Sequence, residues 1–336
     1  MQTSAQPFHV VPAAVIKGIL AELREQTIEI VAATYLAHER GQTVNPDSLF
    51  LRLPSDPASR IIALPAAIAT PGEQPLSGIK WIASYPQNVK SGIPRASAVL
   101  ILNDPRTGYP RAVLEGALIS ATRTAASAVL GARWLNARQK NVSRMSFVGA
   151  GVIARNILKT FVADGWVLPG VDVHDLDQES AGAWATFAKG AGIADVRVVA
   201  LEEALAADIV VFATTAGTPY VFAAEAFRAG QVVLNISLRD LAPEIISASY
   251  NFFDDVGHCL KANTSPHLTE QKYGNRHFVT GTLSALIRGD IPLSRDKPLI
   301  FSPFGMGILD LALGKIVYEL AVSRDLAIPI PAFFQE

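Results

Sequence analysis

The chain has 336 residues and a formal net charge of −1, from 29 Lys and Arg against 30 Asp and Glu. Signs are interspersed along it, which argues against a nucleic-acid binder. Half of the residues are hydrophobic and 18% are charged, enough apolar material for the cores of two domains. No apolar run reaches the roughly 18 residues of a membrane helix, and the stretch from Met1 to Phe8 lacks the basic region and apolar core of a signal peptide. Cys259 is the single cysteine and cannot form an internal disulfide, so a cytoplasmic setting is expected. His174, His258, His267 and His277 have no metal-ligand spacing, and no metal is expected.

In chain order, residues 8–10 suit a short strand, and Val11-Pro12 opens a helical region. From Ile19 to Arg40 apolar positions recur at mostly helical spacing, and Gly41 is a good stop. Strand texture follows at 48–53, 60–65 and 76–82, and residues 96–115 predict a hairpin around Asp104-Pro-Arg-Thr-Gly108. Residues 117–135 return to helix. The first 115 residues thus predict a mainly antiparallel sheet with one or two helices. From Met145 strands alternate with helices: strands at 171–175, 196–199, 209–214, 232–236 and 251–254 follow the one that opens the series. That rhythm predicts a doubly wound parallel sheet. Near the end, residues 299–301 suit a strand and 308–322 an apolar helix.

The stretch Arg144-Met-Ser-Phe-Val-Gly149-Ala150-Gly151-Val152-Ile153-Ala154 organises this second half. It predicts a strand, a tight turn and a helix start, in the Gly-or-Ala form of the dinucleotide fingerprint, with helix amides facing a pyrophosphate. Asp175 ends the next strand, 24 positions after Gly151, where an acid accepts hydrogen bonds from the adenosine ribose and repels a 2′-phosphate. The bland alternative is a solvated loop carboxylate, with Asp177 the better ribose partner. Leu176 and Asp177 offer no cation to a 2′-phosphate, so NAD is expected. The cofactor site is expected to comprise Gly149, Ala150, Gly151, Val152, Ile153, Asp175, Thr214, Ser237 and Gly305.

Four cations stand out in the first domain. Arg60, Lys80, Arg95 and Arg123 each lie in an otherwise apolar strand or helix start, where an unpaired charge is costly. Any one of them reads most simply as a structural ion pair or a snorkelling charge. Four together suggest a cationic pocket for a small polycarboxylate. Asp240 follows the strand at 232–236 and sits where ligands meet such sheets; it could act as a general base there, or cap the helix starting near Ala242. Phe301-Ser-Pro-Phe-Gly305-Met-Gly307 reads as a second glycine turn, closing over the cofactor or only entering a helix.

Several of these segments together resemble the ornithine cyclodeaminase/mu-crystallin family over almost the full chain. They are Arg60-Ile-Ile-Ala-Leu-Pro65, Ser77-Gly-Ile-Lys80-Trp-Ile82, Ala98-Val-Leu-Ile-Leu-Asn-Asp104-Pro-Arg-Thr-Gly108, Leu118-Ile-Ser-Ala-Thr-Arg123-Thr-Ala-Ala126, the glycine turn, and Ser302-Pro-Phe-Gly-Met-Gly307-Ile-Leu-Asp310. Within the family, Arg60-Ile-Ile-Ala-Leu-Pro65, Ile79-Lys-Trp-Ile82, Pro94-Arg-Ala-Ser-Ala-Val-Leu-Ile-Leu-Asn-Asp-Pro105 and Gly289-Asp-Ile-Pro292 look closest to the branch that forms 2,3-diaminopropionate for staphyloferrin B-type siderophores. The resemblance implies a discontinuous α+β substrate-binding and dimerisation domain, residues 1–125 with 310–336, around an NAD-binding Rossmann-type domain at 126–309, in a cytoplasmic homodimer. It implies that Arg60, Lys80 and Arg123 hold the substrate, with Arg95 a branch-level match, and that Asp240 and Lys80 are catalytic. The implied reaction is oxidative hydrolysis of a glutamate–diaminopropionate secondary amine. Alternatives are ornithine cyclodeamination, another amino-acid dehydrogenation or ketimine reduction, or non-catalytic nucleotide-dependent binding. One departure from the family is Pro243, followed by Glu244, where a lysine is usual three residues after the aspartate.

Overall fold

The apolar periodicity after Pro12 folds as two helices. Strand β1 (His9–Val11) leads to α1 (Ala13–Glu22) and α2 (Arg24–Glu39), broken at Leu23. The Leu23 carbonyl accepts from both the amide and the hydroxyl of Thr27, each at 2.9 Å. A hydroxyl that competes for a helical carbonyl in this way bends the backbone, and the kink lets Ile16 and Ile19 of α1 and Ile28 and Val31 of α2 all reach the core. The structure is a computed structural model that describes residues 7–334. Its chain forms two units, one running to Arg123 and resuming at Met306, the other Thr124–Gly305.

The first unit continues with β2 (Thr43–Val44), β3 (Leu49–Leu53), β4 (Asp56–Ile68), β5 (Leu76–Ser84), β6 (Ala96–Asn103) and β7 (Pro110–Glu115), then enters α3 (Gly116–Leu135). Strands β4 to β7 form an antiparallel ladder that sets Leu64, Lys80 and Leu100 side by side. β1 joins the other edge of β7 in parallel, since the whole sheet lies between them in sequence.

The second unit alternates strands and helices: β8 (Met145–Val148), α4 (Val152–Ala163), β9 (Gly170–His174), α5 (Gln178–Gly190), β10 (Asp195–Val198), α6 (Leu201–Leu205), β11 (Ile209–Phe212) and β12 (Val232–Asn235). There follow α7 (Pro243–Ser247), β13 (Tyr250–Phe253), α8 (Val256–Cys259), α9 (Ser265–Tyr273), β14 (Val279–Thr282), α10 (Leu283–Arg288) and β15 (Leu299–Ser302). All pairings are parallel, in the order β10-β9-β8-β11-β12-β15-β13-β14. The strand order reverses between β8 and β11, which is the switch point where ligands meet such sheets. Eight strands form: the six expected in alternation, the strand expected at 299–301, which is β15, and β14. β15 inserts between β12 and β13, and β14 escapes notice because Val-Thr-Gly-Thr has little apolar pattern.

The chain then returns to the first unit as α11 (Gly307–Ser323) and β16 (Ile328–Pro329), the latter pairing β1 antiparallel. α11 packs on β4 and β5. It comes so close that a Cβ at Gly78 would lie 2.8 Å from Leu311 Cδ2, and the neighbouring β6 leaves no room either, with the Ile101 carbonyl oxygen 2.1 Å away. Among the described residues, no helix is long and apolar enough to cross a membrane.

Candidate functional site

In the second unit, β8 runs into Gly149, whose φ of 100° is open to glycine at little cost. Space decides as well: a Cβ there would stand 2.5 Å from the Ala213 carbonyl oxygen of the neighbouring strand end. Gly151 then serves as N-cap of α4 without any side-chain cap, and nothing lies within 4 Å of where its Cβ would be. The turn therefore presents a bare helix N-terminus at the switch point, with Val152 exposed beside it. Asp175, just beyond β9, accepts from the Ala150 amide at 2.7 Å and the Asp177 amide at 2.9 Å. Asp177 caps α5 through the Ser180 amide, so the structure gives it other work and leaves Asp175 on the glycine turn. Leu176 between them is 94% exposed, an apolar surface beside the turn. An open amide cradle, a strand-end carboxylate and an apolar shelf fit a dinucleotide.

Thr214 follows β11 and Ser237 follows β12. Both hydroxyls donate to Asp240, as does the Tyr220 phenol at 2.9 Å. Asp240 has no solvent exposure. It does not cap α7, whose N-cap is Ala242 with no side-chain cap; the capping alternative falls because three hydroxyls claim the carboxylate. Its backbone carbonyl is also held, by the amides of Tyr220 and Val221 at 3.1 Å each. The connecting loop carries Leu238 at φ 70°, a left-handed conformation that is unusual for a leucine and marks local strain. Pro243 occupies the first turn of α7, where its missing N–H costs nothing, and Glu244 pairs with Lys272. Tyr220 has no signature in the sequence. Burial first, and the Asp240 charge second, push its phenol well above the usual value, so it stays a donor.

Gly305 has φ 90°, and its amide donates to Asp254 Oδ2 at 2.7 Å, next to the Phe304 amide on Oδ1 at 2.9 Å. Burial pushes the Asp254 carboxyl up, against the pull of these amides. Cys259 donates to the same carboxylate and to the Ser302 carbonyl, and burial raises its thiol far above the reactive range.

In the first unit, Lys80 points inward at 2% exposure while its neighbour Trp81 faces out at 42%, as strand alternation requires. Lys80 Nζ donates to Asp310 Oδ2 at 2.6 Å and to Ser120 Oγ at 3.1 Å. Arg123 Nε donates to the other Asp310 oxygen at 3.2 Å, and its Nη2 to the same Ser120 hydroxyl at 3.2 Å. Burial, and then the Arg123 charge, bring the Lys80 ammonium down to about 8, with Asp310 opposing both. Arg60 and Arg95 lie elsewhere. Arg60 pairs across the ladder with Ser84, and Arg95 donates to the Ser84 hydroxyl at 2.7 Å. Ser84 is four residues along β5 from Lys80, or about 13 Å. Lys80 and Arg123 are thus joined through Asp310 and Ser120, while Arg60 and Arg95 meet at Ser84 further along β5.

The second unit is a Rossmann-type dinucleotide-binding fold in its strand order, glycine turn and strand-end acid. Residues 13–325 match the ornithine cyclodeaminase/mu-crystallin family, and the chain belongs to that family. It is an oxidoreductase of that group. It is 31% identical over 314 residues to the N-((2S)-2-amino-2-carboxyethyl)-L-glutamate dehydrogenase of Staphylococcus aureus, covering 89% of this chain and 91% of that protein. Among solved structures, it shares its fold with the Thermococcus litoralis Δ1-pyrroline-2-carboxylate reductase in complex with NADH and L-proline, at TM-score 0.87 and 23% identity over 96% of this chain and 100% of the other. An archaeal alanine dehydrogenase dimer with bound NAD gives TM-score 0.85 and 24% identity over 97% of this chain and 100% of that one.

Proposed function

We propose that the protein is an NAD-dependent dehydrogenase of N-((2S)-2-amino-2-carboxyethyl)-L-glutamate, releasing 2-oxoglutarate and L-2,3-diaminopropionate for siderophore assembly in the cytoplasm. The observation that carries this is the buried Lys80–Arg123 pair, a ready site for a substrate carboxylate. The family relationship to the staphylococcal dehydrogenase supports the particular substrate. NAD would rest on Gly149 to Ile153, with Asp175 on its ribose and Thr214, Ser237 and Gly305 beside it. When bound, it supplies the acceptor for the hydride from the glutamate Cα.

Arg123 and Lys80 hold one carboxylate of the substrate, and Arg60 with Arg95 offers a second cationic position for another. Lys80 also orients the bound substrate through that carboxylate. Oxidation of the Cα–N bond leaves an imine carbon open to water. Asp240 takes the proton from that water; because its own oxygens are fully buried, the proton passes through a hydroxyl that touches it. Collapse of the adduct frees the amine of diaminopropionate. Purified protein with NAD and the conjugate should generate NADH and 2-oxoglutarate in equal amounts; no NADH sinks the assignment.

A second reading, dehydrogenation of a simple amino acid, is favoured by one observation. Asp310 cancels one of the two buried cations, leaving a site suited to a single carboxylate. Ornithine, with a cationic side chain, suits it less.

The protein acts as a homodimer. The outward face of the first unit's sheet exposes Leu49, Leu51, Trp81 and Val99, and Trp81 and Val99 are register partners. Such an apolar face calls for a cover, and a second copy supplies it. Trp81→Lys should convert a dimer to monomers in sedimentation velocity; a wild-type monomer would end this part of the reading.

A further inference from the structure

α11 is apolar around most of its length, yet its first turn carries a carboxylate, Asp310, with no solvent exposure. A buried charge of this kind persists when something fixed needs it. Its two oxygens are divided: one takes Lys80 from β5, the other Arg123 from α3, and the Ser120 hydroxyl accepts from both cations on the far side. Lys80 and Arg123 are brought together at 2% and 7% exposure. Without a counter-charge, two like charges would face each other with little water to screen them.

We propose that Asp310 is the positioning residue of the cationic site, fixing Lys80 and Arg123 as paired donors for the substrate carboxylate and keeping Lys80 charged while it binds. This rests on the assignment of those two cations to substrate. The charged groups that face Lys80 are Arg123 from α3 and Asp310 from α11, while its cross-strand partners on β4 and β6 are Leu64 and Leu100. Arg123 drives the ammonium towards its neutral form and Asp310 opposes it. The balance leaves Lys80 titrating at about 8, close enough to neutrality for the loss of one carboxylate charge to tip it.

Lys80 has a lower pKa folded than unfolded, so the unfolded chain binds more protons between the two values and stability rises with pH across that window. In wild type the window opens near 8. Removing the Asp310 charge should move its lower edge down by about 1–3 pH units, the usual reach of an adjacent opposite charge.

The test is Asp310→Asn, with Asp310→Glu as rescue. The melting temperature of Asp310→Asn should be depressed, and the deficit relative to wild type should shrink as pH rises from 6 to 8. In the NADH assay, the alkaline limb of kcat/KM should lie near 8 in wild type and move down by about 1–3 pH units in Asp310→Asn, with activity recovering as pH is lowered; Asp310→Glu should restore it. A deficit constant across pH, with the limb unmoved, would reduce Asp310 to packing and overturn the proposal. Lys80→Arg is the second variant, folding independently of any loss at 310: an arginine keeps its charge, so the limb near 8 should vanish, and a limb that stays overturns the proposal. If wild type makes no NADH from the glutamate conjugate, the substrate assignment fails while the melting series, which needs no substrate, still decides the role of Asp310.

Discussion

Asp310 and Asp240 are both fully buried, and the two units hold them in opposite ways. Asp310 is matched by cations, one on each oxygen. Asp240 is surrounded by neutral hydroxyls from Thr214, Tyr220 and Ser237. An ion-paired carboxylate has both oxygens committed to fixed donors, a lysine on one and an arginine on the other. A carboxylate held by rotatable hydroxyls can take up a proton through them, because each O–H can turn. The first unit's carboxylate thus orders a binding site, and the second unit's carboxylate is the one fitted to be a base.

The sharpest way to break this contrast is Asp240→Asn. It keeps size and much of the hydrogen bonding but removes the base, and turnover should fall by about 10²–10⁴-fold. NAD affinity by calorimetry should be unchanged, since the glycine turn is untouched; unaltered turnover would remove Asp240 from the chemistry.

How far each half of the comparison can be read from sequence depends on how local it is. The glycine turn is legible because Gly149 is required by its own φ and by one neighbouring strand end. Lys80 is legible as a charge in an apolar strand, and its inward direction follows from alternation with Trp81. Asp310 is not. It lies 230 residues from Lys80, and only the packing of α11 on the sheet joins them. Tyr220 sits in a loop with no periodicity, and Leu238 adopts a left-handed backbone that no leucine announces. The four cations read as one pocket in sequence because spacing along a strand is invisible there; register separates Arg60 and Arg95 from Lys80. The paired helices after Pro12 hinge on the Thr27 hydroxyl, which helical periodicity does not register.

Smaller effects sharpen the contrast. Lys80→Met removes a charged donor worth about 1.5–3 kcal/mol, so kcat/KM should drop about 10–100-fold. The loss should fall mainly in KM; a loss confined to kcat would make Lys80 a chemical rather than a binding group. Tyr220→Phe keeps the ring and deletes one of three donors to Asp240. Turnover should fall up to about tenfold, from a hydrogen bond worth about 0.5–1.5 kcal/mol. A larger solvent isotope effect than wild type would show the proton path narrowed, and full activity would leave Thr214 or Ser237 as the route. The smallest effect is expected from Asp175→Ala, which should weaken NAD about fivefold and erode its preference over NADP, since the strand-end acid repels a 2′-phosphate. Unchanged selectivity by fluorescence titration would shift that role away from Asp175.

Wild-type protein mixed with NAD and N-((2S)-2-amino-2-carboxyethyl)-L-glutamate decides the substrate, with NADH absorbance followed alongside the released products. NADH, 2-oxoglutarate and L-2,3-diaminopropionate should appear together in equal amounts. NADH formed from alanine but not from the conjugate, or proline formed from ornithine, would contradict the account.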